Sequence, residues 1–390
     1  MNYGILTIHY ACNFGANLQT LATSLYLQSL GHKVTVINYQ PSDEVHTYKK
    51  LIPQIQFSAH ESFIKNVLNL SELCADVHGI INICKKEKFD GVFIGSDAVL
   101  RLSKNKNAGS NSRYPNPFWG SWSQKLEIPA VLYSASSMGS LWFSWPRSIR
   151  EEMASSLYAF AGLTVRDDWT KWMCRFVGGK ALTMSIIPDP VIAIDKFAPD
   201  IIRYVGEKHI DAMAKLEPYI AVSFSRKNVK DAWISQLVEL AHQNKYNVVS
   251  IPMPEGQYDV PVDHNIDLPL NAAEWYWWIK KSSGYIGERF HGLVSAVATR
   301  TPFVTLDTYS TPLSWLGLDY SSKIFDLCKR IDCLNNRFEK FTFRFGFVSP
   351  NEALKRLLSL SPAKIQKVQK NLEEILLKET TILIKKLQKA

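Results

Sequence analysis

Apolar and polar positions alternate in a regular order over the first forty residues. Residues 3–9 form a short, mainly apolar run of the kind found in strands. After a polar turn, leucines recur at helical spacing as far as Gly31, a residue that suits a helix end: Leu18, Leu21, Leu25 and Leu30. Residues 33–39 are a second strand-like run. This strand–helix–strand unit is typical of the start of a doubly wound sheet.

The same alternation starts afresh near residue 219. Strand-like runs are separated by helical patterns, with strands predicted at 219–224, 246–251, 284–286 and 302–306, and helices at 230–243, 271–281 and 293–299. Two such series predict an α/β fold of two Rossmann-like domains that face a central cleft, the GT-B-like arrangement. The predicted divisions are 1–195 for the N-terminal domain, 196–350 for the C-terminal domain and 351–390 for a basic amphipathic helical segment.

Composition narrows the class of protein. A chain of 390 residues suits two domains, and 46% hydrophobic with 21% charged residues is typical of a folded protein. The net charge of +9 fits nucleic acid, an anionic membrane or acidic small substrates. Because the sequence has no zinc-finger spacing, RNP-like aromatic strand or helix-turn-helix pattern, nucleic acid is not indicated as a partner.

Cysteine usage and the termini bear on the compartment. The six cysteines are scattered without a C-x-x-C pair, which predicts reduced residues and no metal site. Residues 1–10 lack a signal-peptide pattern and no 18-residue apolar run occurs, so we expect a cytoplasmic protein. The Lys-rich segment 351–390 either lies on the inner face of an anionic membrane or packs on the body of the protein. Packing is favoured, and peripheral membrane contact stays open.

Polar residues stand at the ends of two predicted strands in the N-terminal half, the runs 3–9 and 89–97. Asn13, Gly15 and Asn17 stand where a helix N-terminus offers free N–H groups to an anion, or else they only shape and cap the turn. They do not form a G-x-G-x-x-G motif, so no dinucleotide cofactor is indicated. Ser96 and Asp97 end the run 89–97, and Ser96 is predicted to bind the substrate. Asp97 is interpreted as a hydroxyl partner or base, the alternative being a helix N-cap.

Residues 103–122 form a long polar and aromatic loop. Loops of this length in a compact domain are often functional. Its aromatic side chains either line a sugar site or cover the core.

Arginines follow strands in both halves. Arg166 comes after the short run 163–165, and Arg226 follows the run 219–224. Arg289 and His291 precede the helix predicted at 293–299, whose N-terminus would add its own N–H groups. An arginine and a histidine two residues apart combine an anion clamp with a proton donor. The sequence therefore predicts an anion site in the second half.

The order of these motifs resembles the polysaccharide pyruvyl transferase family. The resemblance runs from about residue 3 to residue 306 and rests on NFGANLQ, KVTVINY, FDGVFIGSD, YSASSMG, LTVRDD, IPDP, YIAVSFSR and GERFHG. It implies a GT-B-like enzyme that transfers a pyruvyl group from phosphoenolpyruvate to a sugar and forms a pyruvate ketal. Many members carry D-S-F-H-G at the last motif. This sequence keeps Arg289, which favours the branch that uses phosphoenolpyruvate.

The resemblance also implies roles for single residues. His291 would be the general acid, and Arg289, Arg166 and Arg226 would bind phosphoenolpyruvate. Asp97 would accept the proton of the acceptor hydroxyl, with Glu288 in reserve. The acceptor is a saccharide, either free or lipid-linked, and neither a metal nor a cofactor is expected. The alternatives are a GT-B nucleotide-sugar glycosyltransferase and a non-catalytic scaffold of polysaccharide assembly.

Overall fold

The first half of the chain forms a six-stranded parallel sheet. In a computed structural model that describes residues 1–105, 108–225, 228–256, 259–307, 319–339 and 348–390, the strands follow the order β2-β1-β3-β4-β5-β6. They are β1 (Asn2–Leu6), β2 (Lys33–Val36), β3 (Gly91–Asp97), β4 (Ala130–Ala135), β5 (Gly162–Val165) and β6 (Ser185–Ile186). The predicted strand–helix–strand opening is therefore confirmed, with β1 and β2 paired in parallel.

Helices pack on both faces of this sheet. They are α1 (Phe14–Ser29), α2 (Ser42–Leu51), α3 (Gln54–Val67), α4 (Val77–Glu87), α5 (Arg147–Ala159) and α6 (Asp168–Gly178). Gly31 follows α1 with a φ of +84°, a backbone conformation that glycine adopts without steric cost, as the leucine pattern predicts.

The second half repeats the design with the strand order β12-β11-β10-β7-β8-β9, again all parallel. Its strands are β7 (Tyr219–Ser223), β8 (Asn247–Ser250), β9 (His264–Asn265), β10 (Gly284–Gly287), β11 (Phe303–Asp307) and β12 (Arg337–Glu339). Its helices, with the short connecting ones, are α7 (Ala198–Ile201), α8 (Glu207–Leu216), α9 (Asp231–Gln243), α10 (Ala272–Lys281), α11 (Phe290–Ala298) and α12 (Lys323–Arg330).

The two halves share an apolar interface. The connecting segment 190–197 is a buried 3-10 helix that contacts both α1 and α11. Phe14 of α1 stacks on Trp275 of α10, with ring centroids 5.8 Å apart. Gln56 exchanges two hydrogen bonds with the backbone of Leu270, at 2.8 and 2.9 Å. These contacts fix the two sheets relative to each other and so define the cleft between them.

The C-terminal segment consists of α13 (Pro350–Ser359) and the long α14 (Pro362–Leu387). Helix α14 packs on the first sheet, where Thr380 Oγ1 lies 3.2 Å from Tyr133 Oη. Leu387 covers Gly91 so closely that a side chain there would come within 2.9 Å of it. Packing on the body is thus the arrangement that the structure shows. In the described part of the chain, no helix is long and apolar enough to cross a membrane.

Candidate active site

A cavity of about 220 Å³ lies in the cleft between the carboxyl ends of the two sheets. Strand order reverses between β1 and β3 in the first sheet and between β7 and β10 in the second. Strand ends that diverge in this way leave the crevice that holds ligands in open α/β sheets. The segments that follow these strands line the cavity, among them residues 13–16, Asp97, Ser223 and Arg289. The two crevices thus share one cavity.

The N-terminus of α11 faces this cavity. The helix begins at Phe290, three residues earlier than predicted, so His291 lies inside its first turn. The prediction was wrong because Arg289 occupies the N-cap in an extended conformation without a side-chain cap, and arginine is not a typical N-cap residue. The first-turn N–H groups therefore have no capping side chain. Such groups favour an anion.

Asp189, at the start of the connecting segment, contacts the His291 ring. Its Oδ2 lies 3.4 Å from His291 Nε2 and 2.5 Å from the nearer guanidinium nitrogen of Arg166. Burial alone would raise the pKa of Asp189, but His291 and Arg166 outweigh it and hold that pKa well below its usual range. Asp189 therefore stays ionised and orients the imidazole ring of His291 beside the cavity.

Gly15 makes room for His291 across the cleft. A Cβ added at Gly15 would stand 2.1 Å from His291 Nδ1 and 2.3 Å from Cγ. No side chain fits at that distance, so the ring can occupy its position only opposite glycine. This is a direct contact between the first turn of α1 and the first turn of α11.

Three further cations line the cavity with His291. Arg289, Arg101 and Lys323 reach it from three separate segments. Arg289 contacts Met253 Sδ at 3.1 Å and Glu255 at 2.8 Å, with about a quarter of its side chain exposed. Burial, together with the like charge of Arg166, lowers the pKa of Lys323 to about 8 against the opposing effect of nearby aspartates. The cavity is therefore suited to an anionic ligand.

Asp97 lies at the cavity wall at the end of β3. Its φ of +83° is rare for a residue other than glycine, and its Oδ1 accepts a hydrogen bond from Ala98 N at 2.7 Å. The same oxygen is 3.8 Å from Arg166. Because a turn and not a helix follows β3, the N-cap alternative for Asp97 was wrong.

Asn13 caps α1, as the structural alternative for this turn proposed. Its side chain accepts from Gly15 N at 3.0 Å and Ala16 N at 3.2 Å. Two amides that would have been available to an anion are therefore already bonded. The two helix termini at the cleft differ in this respect, and the uncapped terminus of α11 is the better anion site.

Two predicted ligands of the first domain, Asn17 and Ser96, do not line the cavity. Asn17 is buried, with its amide bonded to His9 O at 3.0 Å and its carbonyl 2.7 Å from His60. Ser96 is fully buried and donates to Ser134 O at 3.2 Å. Both side chains complete hydrogen bonds inside the first domain, so the structure does not bring them to the cavity.

Glu288 also turns away from the cavity. Its carboxylate accepts from Ser225 N at 3.1 Å and Asn228 Nδ2 at 2.5 Å, and burial raises its pKa. It links the loop after β7 to the end of β10, so the structure does not bring this reserve proton acceptor to the cavity. Arg226 lies outside the described residues.

Arg166 stands one layer behind the cavity wall. Its side chain is only 2% exposed, and its guanidinium stacks on Phe290 at 4.7 Å. Among the described residues, Nε and one terminal nitrogen of Arg166 find no hydrogen-bond partner. This placement does not favour direct contact of Arg166 with a ligand in the cavity. Arg166 instead positions Asp189 and Phe290.

The loop 103–122 reaches the cavity through its polar residues. Asn111 and Ser112 line it, whereas Trp119 and Trp122 are buried in the first-domain core. Trp122 Nε1 donates to Pro117 O at 2.8 Å, which fixes the indole within its own loop. For these two aromatic residues, covering the core is the interpretation that the structure confirms.

Comparison with known proteins identifies the family. The sequence profile of the family described as polysaccharide pyruvyl transferase matches residues 13–310. The chain belongs to this family of enzymes. No curated protein matches the sequence. The matched region contains every cavity-lining residue that was predicted from the sequence. Lys323, which also lines the cavity but was not predicted, lies outside it.

Solved structures of similar fold include a UDP-GlcNAc 2-epimerase and glycosyltransferases. The UDP-GlcNAc 2-epimerase from Neisseria meningitidis bound to UDP-GlcNAc has a TM-score of 0.53 at 11% identity, over 97% of this chain and 99% of that one. The spinosyn forosaminyltransferase SpnP has the same TM-score and identity, over 98% and 99%. A glycosyltransferase from Rickettsia africae has a TM-score of 0.51 at 12% identity, over 100% and 99%. These likenesses show the fold alone and confirm the predicted GT-B-like, two-domain architecture.

Sequence reasoning missed several residues of the site. It gave no role to Lys323 and Arg101, which line the cavity, or to Asp189, which lies behind the cavity wall in contact with His291. Glu44 also lines the cavity, where burial raises its pKa. The Pro-Asp-Pro motif was the one available signal, because a charged residue between two prolines stands on a rigid backbone. In the described part of the chain, no three acidic, histidine or cysteine side chains come together as a metal site.

Proposed function

We propose that this enzyme transfers a pyruvyl group from phosphoenolpyruvate to a sugar of a polysaccharide or its precursor and forms a pyruvate ketal. The observation that carries the proposal is the 3.4 Å contact of Asp189 Oδ2 with His291 Nε2 at the N-terminus of α11, which the Arg289 side chain does not cap, in a cavity lined by arginine and lysine. Membership of the polysaccharide pyruvyl transferase family supports the same reaction.

Binding of the donor needs charge for two anionic groups. Phosphoenolpyruvate carries a phosphate and a carboxylate, and each is recognised by cations or by helix N–H groups. Arg289, Lys323 and the first-turn amides of α11 are grouped on one side of the cavity. Arg289 would exchange its partner Glu255 for the ligand, which is feasible because this pair is partly exposed.

Proton transfer to the donor is assigned to His291. Protonation of the methylene carbon forms a C–H bond from the enol π electrons and leaves an oxocarbenium-like centre at C2. A histidine beside a buried carboxylate suits this step, because the carboxylate orients the ring and balances the positive charge of its imidazolium form. Because residue 15 is glycine, no side chain from that position crowds the Nδ1 edge of the ring.

The acceptor is assigned to the first-domain side of the cavity. A sugar hydroxyl attacks C2 and loses its proton to Asp97, which lines that side. A second hydroxyl then forms the other C–O bond as the C–O bond to phosphate breaks, and its proton passes to the phosphate, which leaves as inorganic phosphate. Glu44, Tyr48 and Asn111 offer polar groups for the sugar.

The assignment of His291 is tested by phosphate release with phosphoenolpyruvate and a panel of bacterial saccharides. We expect His291→Ala to lower turnover by about 10²–10⁴-fold, the range for loss of a general acid, while donor affinity changes little. His78→Ala, at an exposed position of α4, is the matched control. Near-normal turnover of His291→Ala would show that another group delivers the proton.

Analysis of the products separates this function from sugar-nucleotide transfer. Pyruvyl transfer releases phosphate and adds a ketal to the acceptor, as mass spectrometry would detect. Release of a nucleoside diphosphate from a sugar nucleotide, with no reaction of phosphoenolpyruvate, would contradict the proposal.

A further inference from the structure

Large apolar side chains are exposed on the first domain beside the cleft. Phe143 is 48% exposed, Phe176 44%, Trp172 40% and Leu141 39%. Together with Trp142 we call them the aromatic rim. They come from the loop after β4 and from α6, two segments separated in sequence. A surface of this kind on a folded protein marks a contact site more often than single exposed residues do.

Ring contacts hold the aromatic rim together. Trp142 lies 5.6 Å from Phe143 and 4.9 Å from Phe176, measured between ring centroids. It also contacts Trp169 at 5.7 Å, whose Nε1 donates to Ser140 O at 2.8 Å. The exposed rings thus pack against Trp142 and Trp169, which are partly or fully buried, and the group forms one continuous surface.

Cations border the aromatic rim. The Arg150 guanidinium lies 4.9 Å from the centre of the Phe176 ring, and Arg175 is exposed beside it on α6. Lys104 Nζ donates to Ser144 O at 2.6 Å, within the loop that carries Phe143. On the far side, Lys329 stacks on Tyr320 at 4.8 Å. Exposed rings with interspersed positive charge are complementary to an anionic surface that has an apolar interior.

We propose that the aromatic rim docks on an anionic phospholipid surface. Aromatic rings with an apolar face settle at the boundary of headgroups and acyl chains, and the neighbouring arginines and lysines bind lipid phosphates. The basic helix α14 is less suited to this role, because Leu376, Leu383 and Leu387 are buried against the body. The contact therefore belongs to the first domain.

The position of the aromatic rim relates the docked surface to the cavity. Met138 lines the cavity, and the chain leads from it into the rim within a few residues. Trp172 contacts Tyr320 of the second half at 5.4 Å, three residues before Lys323 at the cavity wall. Docking would bring the mouth of the cleft to the lipid surface, within reach of an acceptor held there. Lipid binding itself does not rest on the proposed pyruvyl transfer.

Vesicle flotation tests the proposal with the full chain. Wild type is expected to float with vesicles of phosphatidylcholine and phosphatidylglycerol, and far less with phosphatidylcholine alone or at high salt. The double variant Phe143→Ser/Phe176→Ser should bind at least about tenfold more weakly, since two rings leave the interface. Ile55→Ser/Leu73→Ser, which changes two exposed apolar residues elsewhere on the domain, should bind like wild type.

Several results would overturn the proposal. Wild type that stays in solution with anionic vesicles contradicts it, as does equal flotation of the Phe143→Ser/Phe176→Ser variant. Melting temperature and phosphate release show whether that variant is folded. Self-association of wild type that the same substitutions abolish, without flotation, would assign the aromatic rim to a second copy of the chain.

Discussion

At the scale of single residues, the site depends on contacts between segments far apart in sequence. Gly15 of the first half lies against His291 of the second, and Asp189 holds both His291 and Arg166. Arg166 and Asp189 are buried charges, and each needs a partner of opposite charge.

The contact of Gly15 with His291 gives the first prediction. Gly15→Ala places a Cβ 2.1 Å from His291 Nδ1, so the ring must move. We expect kcat to fall by about 10–100-fold, as displacement of a catalytic group by an ångström does, with a smaller change in KM. The helix itself should fold at least as well, because alanine favours helices.

Steady-state kinetics with melting temperature as the fold check would measure this. Gly206→Ala is the control, since the nearest atom to its added Cβ is 3.3 Å away. A Gly15→Ala enzyme with wild-type kcat would mean that His291 does not need its observed position.

Lys323 gives a prediction for pH dependence. Burial lowers its pKa to about 8, so it is charged below that pH and becomes neutral above it. An anionic donor prefers the charged form and raises this pKa on binding. Affinity should therefore be steady below pH 8 and weaken above it, by up to about tenfold per pH unit.

Binding titrations with phosphoenolpyruvate across this pH range would show a break, the pH at which the affinity begins to fall. Lys323→Arg should remove it, because arginine stays charged throughout. A break that persists unchanged in Lys323→Arg would assign the titration to another group.

Residue positions also show what sequence reasoning could and could not give. Arg289, His291 and Asp97 were predicted because strand ends with charged residues face the cleft in this class of sheet. Asn17, Ser96 and Glu288 met the same criterion, yet their side chains turn into the protein. Orientation at a strand end depends on which neighbours offer hydrogen bonds, and those neighbours are distant in sequence.

At the scale of elements, the two helices at the cleft differ in their caps. Asn13 bonds the first amides of α1, whereas α11 begins behind Arg289 with no side-chain cap. Periodicity predicted both helices, because their apolar positions repeat. It misplaced the start of α11, since an uncapped N-terminus carries no sequence signal.

Helix α14 gives a prediction about stability. Leu376 lies on the face of this helix that packs on the body and is fully buried, while its neighbour Leu377 is 47% exposed. Leu376→Ala should lower the free energy of unfolding by about 2–5 kcal/mol, as for other buried leucines. Leu377→Ala, the matched control, should cost less than about 1 kcal/mol. Chemical denaturation measures both; equal effects would mean that α14 is not packed as described.

At the scale of the whole molecule, two similar sheets face each other at the points where their strand order reverses. The pattern of strands and helices in the sequence predicts each sheet, but not how the two sheets pack on each other. That packing comes from the buried segment 190–197 and from pairs such as Phe14 with Trp275, which no local pattern announces. Asp189 enters the site for the same reason, because it stands at the start of that segment.

The most direct test of the central claim is a thermal-shift titration of the protein with phosphoenolpyruvate beside a panel of sugar nucleotides. A ligand that binds the folded state raises the melting temperature. We predict a rise with phosphoenolpyruvate that Arg289→Ala weakens by about 10–100-fold in affinity, the effect of losing a charge-assisted contact. Arg203→Ala, at an exposed arginine remote from the cavity, should respond like wild type. A rise with a sugar nucleotide and none with phosphoenolpyruvate would contradict the proposed donor.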